Sequence, residues 1–174
     1  VPTGAFATIR TDRGTVLGIV GERYVPLQNR DAFKGLEPLL MSGRATLETG
    51  GTPRGGADVW MMVRFHLEGG LARDVFGDEV APFGVIINNH TGARTVVVMN
   101  TRIRIVCANT MGFALRGAGP DAIAVRHTLS VEARTVEAAQ TLWGRIVEDN
   151  EEAARHFQVL RAMYLDEALF RRLV

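Results

Sequence analysis

The chain changes its hydrophobic period once. Up to about residue 130, apolar positions come in short β-type runs separated by Gly, Pro and Asn; from Ser130 they recur at helical spacing. Ala7-Thr8-Ile9-Arg10 and Val16-Leu17-Gly18-Ile19-Val20 flank Asp12-Arg13-Gly14, which predicts a hairpin. Asn29 precedes Phe33, Leu36 and Leu40 at helical spacing, so a short helix capped by Asn29 is expected, with Pro38 limiting its regularity. Arg44 to Glu48 and Asp58 to Leu67 form the next strand pair. Along the second of these, Val59, Met61, Val63, Phe65 and Leu67 alternate with Trp60, Met62, Arg64 and His66. One face is purely apolar and the other mixed, the pattern of a sheet buried on one side and partly covered on the other. Phe83 to Asn88 and Arg94 to Asn100 flank Asn89-His90-Thr91-Gly92-Ala93, a third hairpin.

After Asn100, Arg and Ile alternate over Arg102-Ile103-Arg104-Ile105, and Val106, Thr110, Phe113 and Ala114 then fall at helical spacing. This reads as a strand running into a helix after Cys107, which Gly117-Ala118-Gly119-Pro120 ends. Ile123 to Leu129 returns to the sheet. Beyond Ser130, the positions Val136, Ala139, Trp143, Ile146, Asn150, Ala153, Phe157, Leu160 and Tyr164 alternate in steps of 3 and 4, a heptad seam with one core Asn. The polar run Glu148-Asp149-Asn150-Glu151-Glu152 leaves open a single long helix or an antiparallel helix pair. The expectation is an α+β fold: an antiparallel sheet of hairpins, a short helix in its N-terminal half, a helix after Cys107, and a long C-terminal helix or helix pair. Residues 1–130 would form the core, with 131–174 packed on it or on another chain. In the latter case Trp143, Asn150 and Phe157 would line a homo-oligomer interface.

At 174 residues, 47 % hydrophobic and 22 % charged, the chain can bury a substantial core as one domain. Its 20 basic and 19 acidic groups net +1, so any polyanion-binding surface has to be local. Of the basic groups only Lys34 is a lysine, a bias that a GC-rich genome also produces. Residues 1–119 carry 13 basic and 10 acidic side chains against 7 and 9 beyond, a mildly basic sheet region followed by a mildly acidic helical one. The single Cys107 can form no internal disulfide, and no apolar run approaches the roughly 20 residues of a membrane span. A cytoplasmic protein without a membrane partner is therefore expected. The opening Val1-Pro2-Thr3-Gly4 has no initiator Met and reads as part of a longer chain.

Candidate chemistry is sparse. Cys107, His127 and Asn109 supply the residue types of a thiol nucleophile, its base and an orienting amide. A free Cys in an apolar run is, however, ordinarily a small buried hydrophobe, so no catalytic set is expected. His66, His90, His127 and His156 lack the close spacing of a zinc site, and Asp74, Asp78 and Glu79 sit in a Gly-rich loop that reads as solvated. No metal or cofactor is implied. Gly50-Gly51-Thr52-Pro53-Arg54-Gly55-Gly56 lacks the Gly-Lys-Ser/Thr of a phosphate loop; it reads as a hairpin tip, with Arg54 available to a phosphate backbone. Arg102 and Arg104, expected to share one strand face, and Arg126 could hold phosphates bidentately while Trp60, His66 or Tyr24 stack on bases.

Several stretches resemble the uncharacterised family of phage/plasmid-like proteins. They are Leu17-Gly18-Ile19-Val20, Tyr24-Val25-Pro26-Leu27-Gln28-Asn29, Glu48-Thr49-Gly50-Gly51, Gly56-Ala57-Asp58-Val59-Trp60 and Asn89-His90-Thr91-Gly92. Most specific are Arg102-Ile103-Arg104-Ile105-Val106-Cys107-Ala108-Asn109-Thr110 and Arg126-His127-Thr128. The resemblance implies no agreed activity. It implies a setting on bacteriophages, plasmids and integrated elements, beside recombination and single-strand-binding functions. The element order is also similar to the core of single-strand annealing proteins of the eukaryotic recombination-mediator type, although such proteins carry a more basic groove. The function expected is a non-enzymatic nucleic-acid-associated accessory protein. A Cys/His-dependent enzyme and an oligomeric structural protein are the alternatives.

Overall fold

The computed structural model describes residues 4–67, 71–73, 79–119 and 122–162. Strands β1 (Ala5–Arg10) and β2 (Thr15–Gly21) form the first expected hairpin as a separate two-stranded sheet, turning through Gly14 at φ +65°. It rests on the Asn89–Gly92 loop. Thr8 Oγ1 donates to His90 O at 2.6 Å, and a Cβ on Gly18 would stand 2.4 Å from Thr91 O, so only glycine permits this approach.

The expected short helix is present but divided into α1 (Asn29–Ala32), a 3-10 turn at Lys34–Leu36, and α2 (Glu37–Met41). The break falls where the chain meets a neighbouring helix. A Cβ on Gly35 would lie 2.6 Å from Ala139 Cβ, and the Gly35 carbonyl accepts from Trp143 Nε1 at 3.1 Å. Asn29 is the first helical residue, and its side chain accepts from Asn88 Nδ2 at 3.0 Å instead of capping α1.

The main sheet holds β3 (Ala45–Gly51) and β4 (Asp58–Phe65). After the short pair β5 (Ala72–Arg73) and β6 (Glu79–Val80), it adds β7 (Phe83–Asn89), β8 (Val96–Thr101) and β9 (Ala122–Val125). Its five strands run in the order β3-β4-β7-β8-β9, every neighbouring pair antiparallel. Between β8 and β9 lies α3 (Ala108–Gly117), and after β9 comes α4 (Val131–Ala162).

Both faces of the sheet are buried. Val63, Phe65, Ile86, Val96 and Val98 pack with Leu142, Trp143 and Ile146 of α4. Trp60, Met62, Val85, Ile87 and Met99 pack with Ile105 and with Met111 and Ala114 of α3. The mixed face of β4 is thus closed by α3 over Trp60 and Met62, while Arg64 and His66 emerge exposed. Because α4 shares a core with the sheet, its first half belongs to the same folding unit as the strands.

α4 is one helix straight through the polar run. Asn100 Nδ2 donates to Asp149 Oδ2 at 3.3 Å and Asn150 Oδ1 accepts from Ala72 N at 3.1 Å, so the polar side chains anchor the helix to β8 and to β5. The strand expected at Arg102–Ile105 is absent: β8 ends at Thr101 and the chain runs irregularly to α3, burying Ile105 under the sheet. No helix among the described residues is long and apolar enough to cross a membrane.

Candidate functional site

The ends of β4 and β7 carry a buried polar network. Asp58, 1 % exposed, accepts from Arg54 Nε at 2.8 Å, from Arg54 Nη2, and from Asn89 Nδ2 at 2.6 Å. Asn89 Oδ1 in turn accepts from the Thr91 amide at 3.1 Å and hydroxyl at 2.8 Å. Arg54 holds φ +54°, a left-handed conformation that costs a non-glycine residue roughly 1–2 kcal/mol. Its grip on Asp58 offsets that strain. His90 Nε2 lies 2.9 Å from Asn29 Oδ1, which can only accept, so Nε2 carries the proton. Burial holds His90 below the usual histidine range, with Asp58 pulling partly back.

Tyr24 and His127 stack beside this network, centroids 4.6 Å apart and planes at 22°. The Tyr24 hydroxyl donates to Asn89 O at 3.0 Å, and burial pushes its phenol up to about 12. His127 Nδ1 donates to Val25 O at 3.2 Å, while its buried Nε2 has no partner among the described residues. Burial lowers the His127 pKa, the Val25 carbonyl partly opposing and His90 adding to the effect. With Nδ1 donating to Val25 O, Nε2 is the acceptor nitrogen of the neutral ring.

This stack forms part of the wall of an open cleft of about 820 Å³ that Arg23, Arg94, Arg126, Thr95 and Thr128 also line. All three arginines are exposed, and among the described residues none has an ion pair or side-chain hydrogen bond. Glu22 also lines the cleft and opposes one of these charges. Past Arg94 the surface continues into a second cleft of about 710 Å³ bordered by Arg54, Arg116 and α3. The Arg116 guanidinium lies 4.7 Å from the ring centre of Phe113, which is 61 % exposed and does not line that cleft.

Residues singled out from the sequence are distributed differently. Arg102 and Arg104 share no strand face: Arg102 Nη2 donates to Asp149 O on α4 at 2.6 Å, and Arg104 Nε pairs with Glu48 Oε1 on β3 at 2.5 Å. With the strand ended at Thr101, successive side chains in the irregular segment reach opposite neighbours. Arg54 is occupied by Asp58, Arg126 lies on the first cleft, and Trp60 is 5 % exposed beneath α3, away from any stacking surface.

Cys107 is exposed at the N-cap of α3, not buried as its apolar run suggests. Hydrogen bonding from the Thr110 amide and hydroxyl, and from the Asn109 amide, draws its thiol below the usual range. No hydrogen bond joins Cys107 to His127, since Nδ1 is held by Val25 O and Nε2 has no partner. Exposed Asn109 stays beside Cys107, so the three residues are not assembled as a catalytic set.

Trp143 and Asn150 are committed to their own chain's interior, and Phe157 is half-buried beyond them on α4. Asp74 and Asp78 lie outside the described residues, among which no group of three His, Cys, Asp or Glu could hold a metal ion.

A family model described as Domain of unknown function (DUF932) matches residues 16–174. The chain belongs to this family. No curated protein and no solved structure matches it. The DUF932 match takes in Tyr24, the Asn88–Thr91 network, Arg94, Arg126 and His127, so both clefts fall within the family domain apart from Gly4. The cleft arginine that no motif of the sequence points to is Arg23. The signal lay in three family-like stretches, at Tyr24, Asn89–Gly92 and Arg126–Thr128, that are remote in sequence and converge here.

Proposed function

We propose that this chain is a nucleic-acid-associated accessory protein of a mobile genetic element, binding single-stranded DNA. The strand would run from the Arg23–Arg126 cleft past Arg94 to Arg116. The observation that carries this reading is the set of three exposed arginines around one cleft, none of them ion-paired among the described residues. Guanidinium groups whose charge is not already spent on a carboxylate are suited to bidentate phosphate contact. Arg54 and Arg104, each engaged by a carboxylate, are not. The exposed Phe113 ring backed by Arg116 adds a sequence-tolerant stacking surface. A chain with a net charge of only +1 needs such a local concentration to hold a polyanion. The mobile-element setting rests on the sequence resemblance at Arg102–Thr110 and Arg126–Thr128.

The test is a salt titration of a labelled single strand by fluorescence anisotropy. Affinity should fall steeply with salt, and Arg94→Ala should weaken binding while reducing the log–log slope by roughly 0.7 for the phosphate contact removed. Arg104→Ala should leave both unchanged. Absence of binding at low salt, or binding indifferent to salt, refutes the reading.

A further inference from the structure

We propose that the Arg23–Arg94–Arg126 cleft seats a single nucleotide of the bound strand, its phosphate among the three guanidinium groups and its base laid on the Tyr24 ring. This deepens the nucleic-acid reading above and rests on it. The cleft volume of about 820 Å³ suits a ligand of nucleotide size, since small-molecule sites run to roughly 300–1,000 Å³. Its wall offers an aromatic ring with little freedom. Tyr24 is held by its hydroxyl on Asn89 O at 3.0 Å, by its amide on Gly21 O at 3.0 Å, and by stacking on the His127 ring, which also lines the cleft. His127 is itself fixed through Val25 O. A ring fixed before binding loses little entropy when a base stacks on it.

Gly92 and Ala93 also line the cleft and put no long side chain into it. Tyr24 is half-buried and faces the cleft, whereas Trp60 is buried and His66 lies outside the residues that line it. Phosphate charge and a base-sized aromatic platform therefore meet at one place, which a purely electrostatic surface would not require. Phe113 lines neither of the two clefts, so its substitution separates stacking elsewhere on the surface from stacking on Tyr24.

The experiment compares a 12-nucleotide single strand with a strand of equal length built from abasic tetrahydrofuran units, which carries the same phosphates. Both are titrated against the full chain and against Tyr24→Leu, Tyr24→Phe and Phe113→Ala. The wild-type chain should favour the base-bearing strand by roughly tenfold, the order of one stacked base. Tyr24→Leu should lose most of that preference while keeping its affinity and salt slope for the abasic strand, and Tyr24→Phe should retain it. Should Tyr24→Leu fail to fold by circular dichroism, photo-crosslinking of a 5-iodouracil strand to the wild-type chain decides, with the adduct expected on Tyr24. Equal binding of the two strands by the wild type overturns the inference and leaves the phosphate reading standing. A preference that survives in Tyr24→Leu but vanishes in Phe113→Ala, or an adduct elsewhere only, also overturns it. Failure of both strands to bind removes the nucleic-acid reading itself.

Discussion

Arg54 offers a test in which two opposing effects of one side chain can be separated. Its guanidinium supplies two of the three hydrogen bonds to a carboxylate that is 1 % exposed, and its backbone sits at φ +54°. Removing one partner of a buried ion pair costs about 3–5 kcal/mol. The Arg54 side chain is 52 % exposed, so water can approach the gap, and about 2–3 kcal/mol is the appropriate expectation. Arg54→Ala loses the pair and keeps the left-handed strain, so it should show the full loss. Arg54→Gly loses the pair but relieves about 1 kcal/mol of strain, and should fall about 1–2 kcal/mol below wild type.

Urea denaturation followed by tryptophan fluorescence, with melting by calorimetry, checks this order. A domain of this size shifts by about 2–4 °C per kcal/mol, so Arg54→Ala should melt about 4–12 °C early. Adding Asp58→Asn to Arg54→Gly should recover part of the loss, because no charge is then left buried. An Arg54→Ala stability within about 0.5 kcal/mol of wild type, or a glycine variant less stable than the alanine one, would refute the reasoning.

Acid sensitivity follows from the two buried histidines, which hold their folded pKa values below the unfolded ones. The unfolded chain then binds more protons as pH drops through about 6.5, so stability is intact above that pH and declines below it until the folded values are reached. Each histidine contributes at most about 1.4 kcal/mol per pH unit. The urea midpoint should fall between pH 7.5 and 5.5, and His127→Gln should flatten that fall; an unchanged slope in the variant excludes His127 as its source. Trp143→Ala should cost about 3–5 kcal/mol, since the indole packs against Phe65 and donates to Gly35 O. Light scattering should show the same mass as wild type, whereas dissociation of an oligomer would assign Trp143 to an interface between chains.

Local periodicity determined most of the architecture. The alternation along β4, the turn at Asp12–Gly14 and the 3–4 spacing after Ser130 each report a repeating geometry that neighbouring residues share, so antiparallel hairpins and a helical C-terminal region are legible in the sequence, while only the structure decides between one helix and two. What escaped was whatever depended on partners remote in sequence. Arg102 and Arg104 alternate with isoleucines as a strand would, yet Asp149 and Glu48 take them in different directions. Trp143 and Asn150 lie on a heptad stripe, and only the sheet beneath α4 decided that their first partner is their own chain. Asn29 has the chemistry of a helix cap, but Asn88 and His90 offered its side chain better use.

The cleft depends on tertiary structure most of all. Tyr24, Arg94 and Arg126 come from three separate segments, and their meeting is a consequence of hairpin, loop and sheet end packing together. Sequence alone supplied the residue types and the strands that carry them. Which arginines keep their charge for a ligand was settled only by the positions of the carboxylates in space, because a Coulomb partner acts over a few ångströms regardless of its distance along the chain.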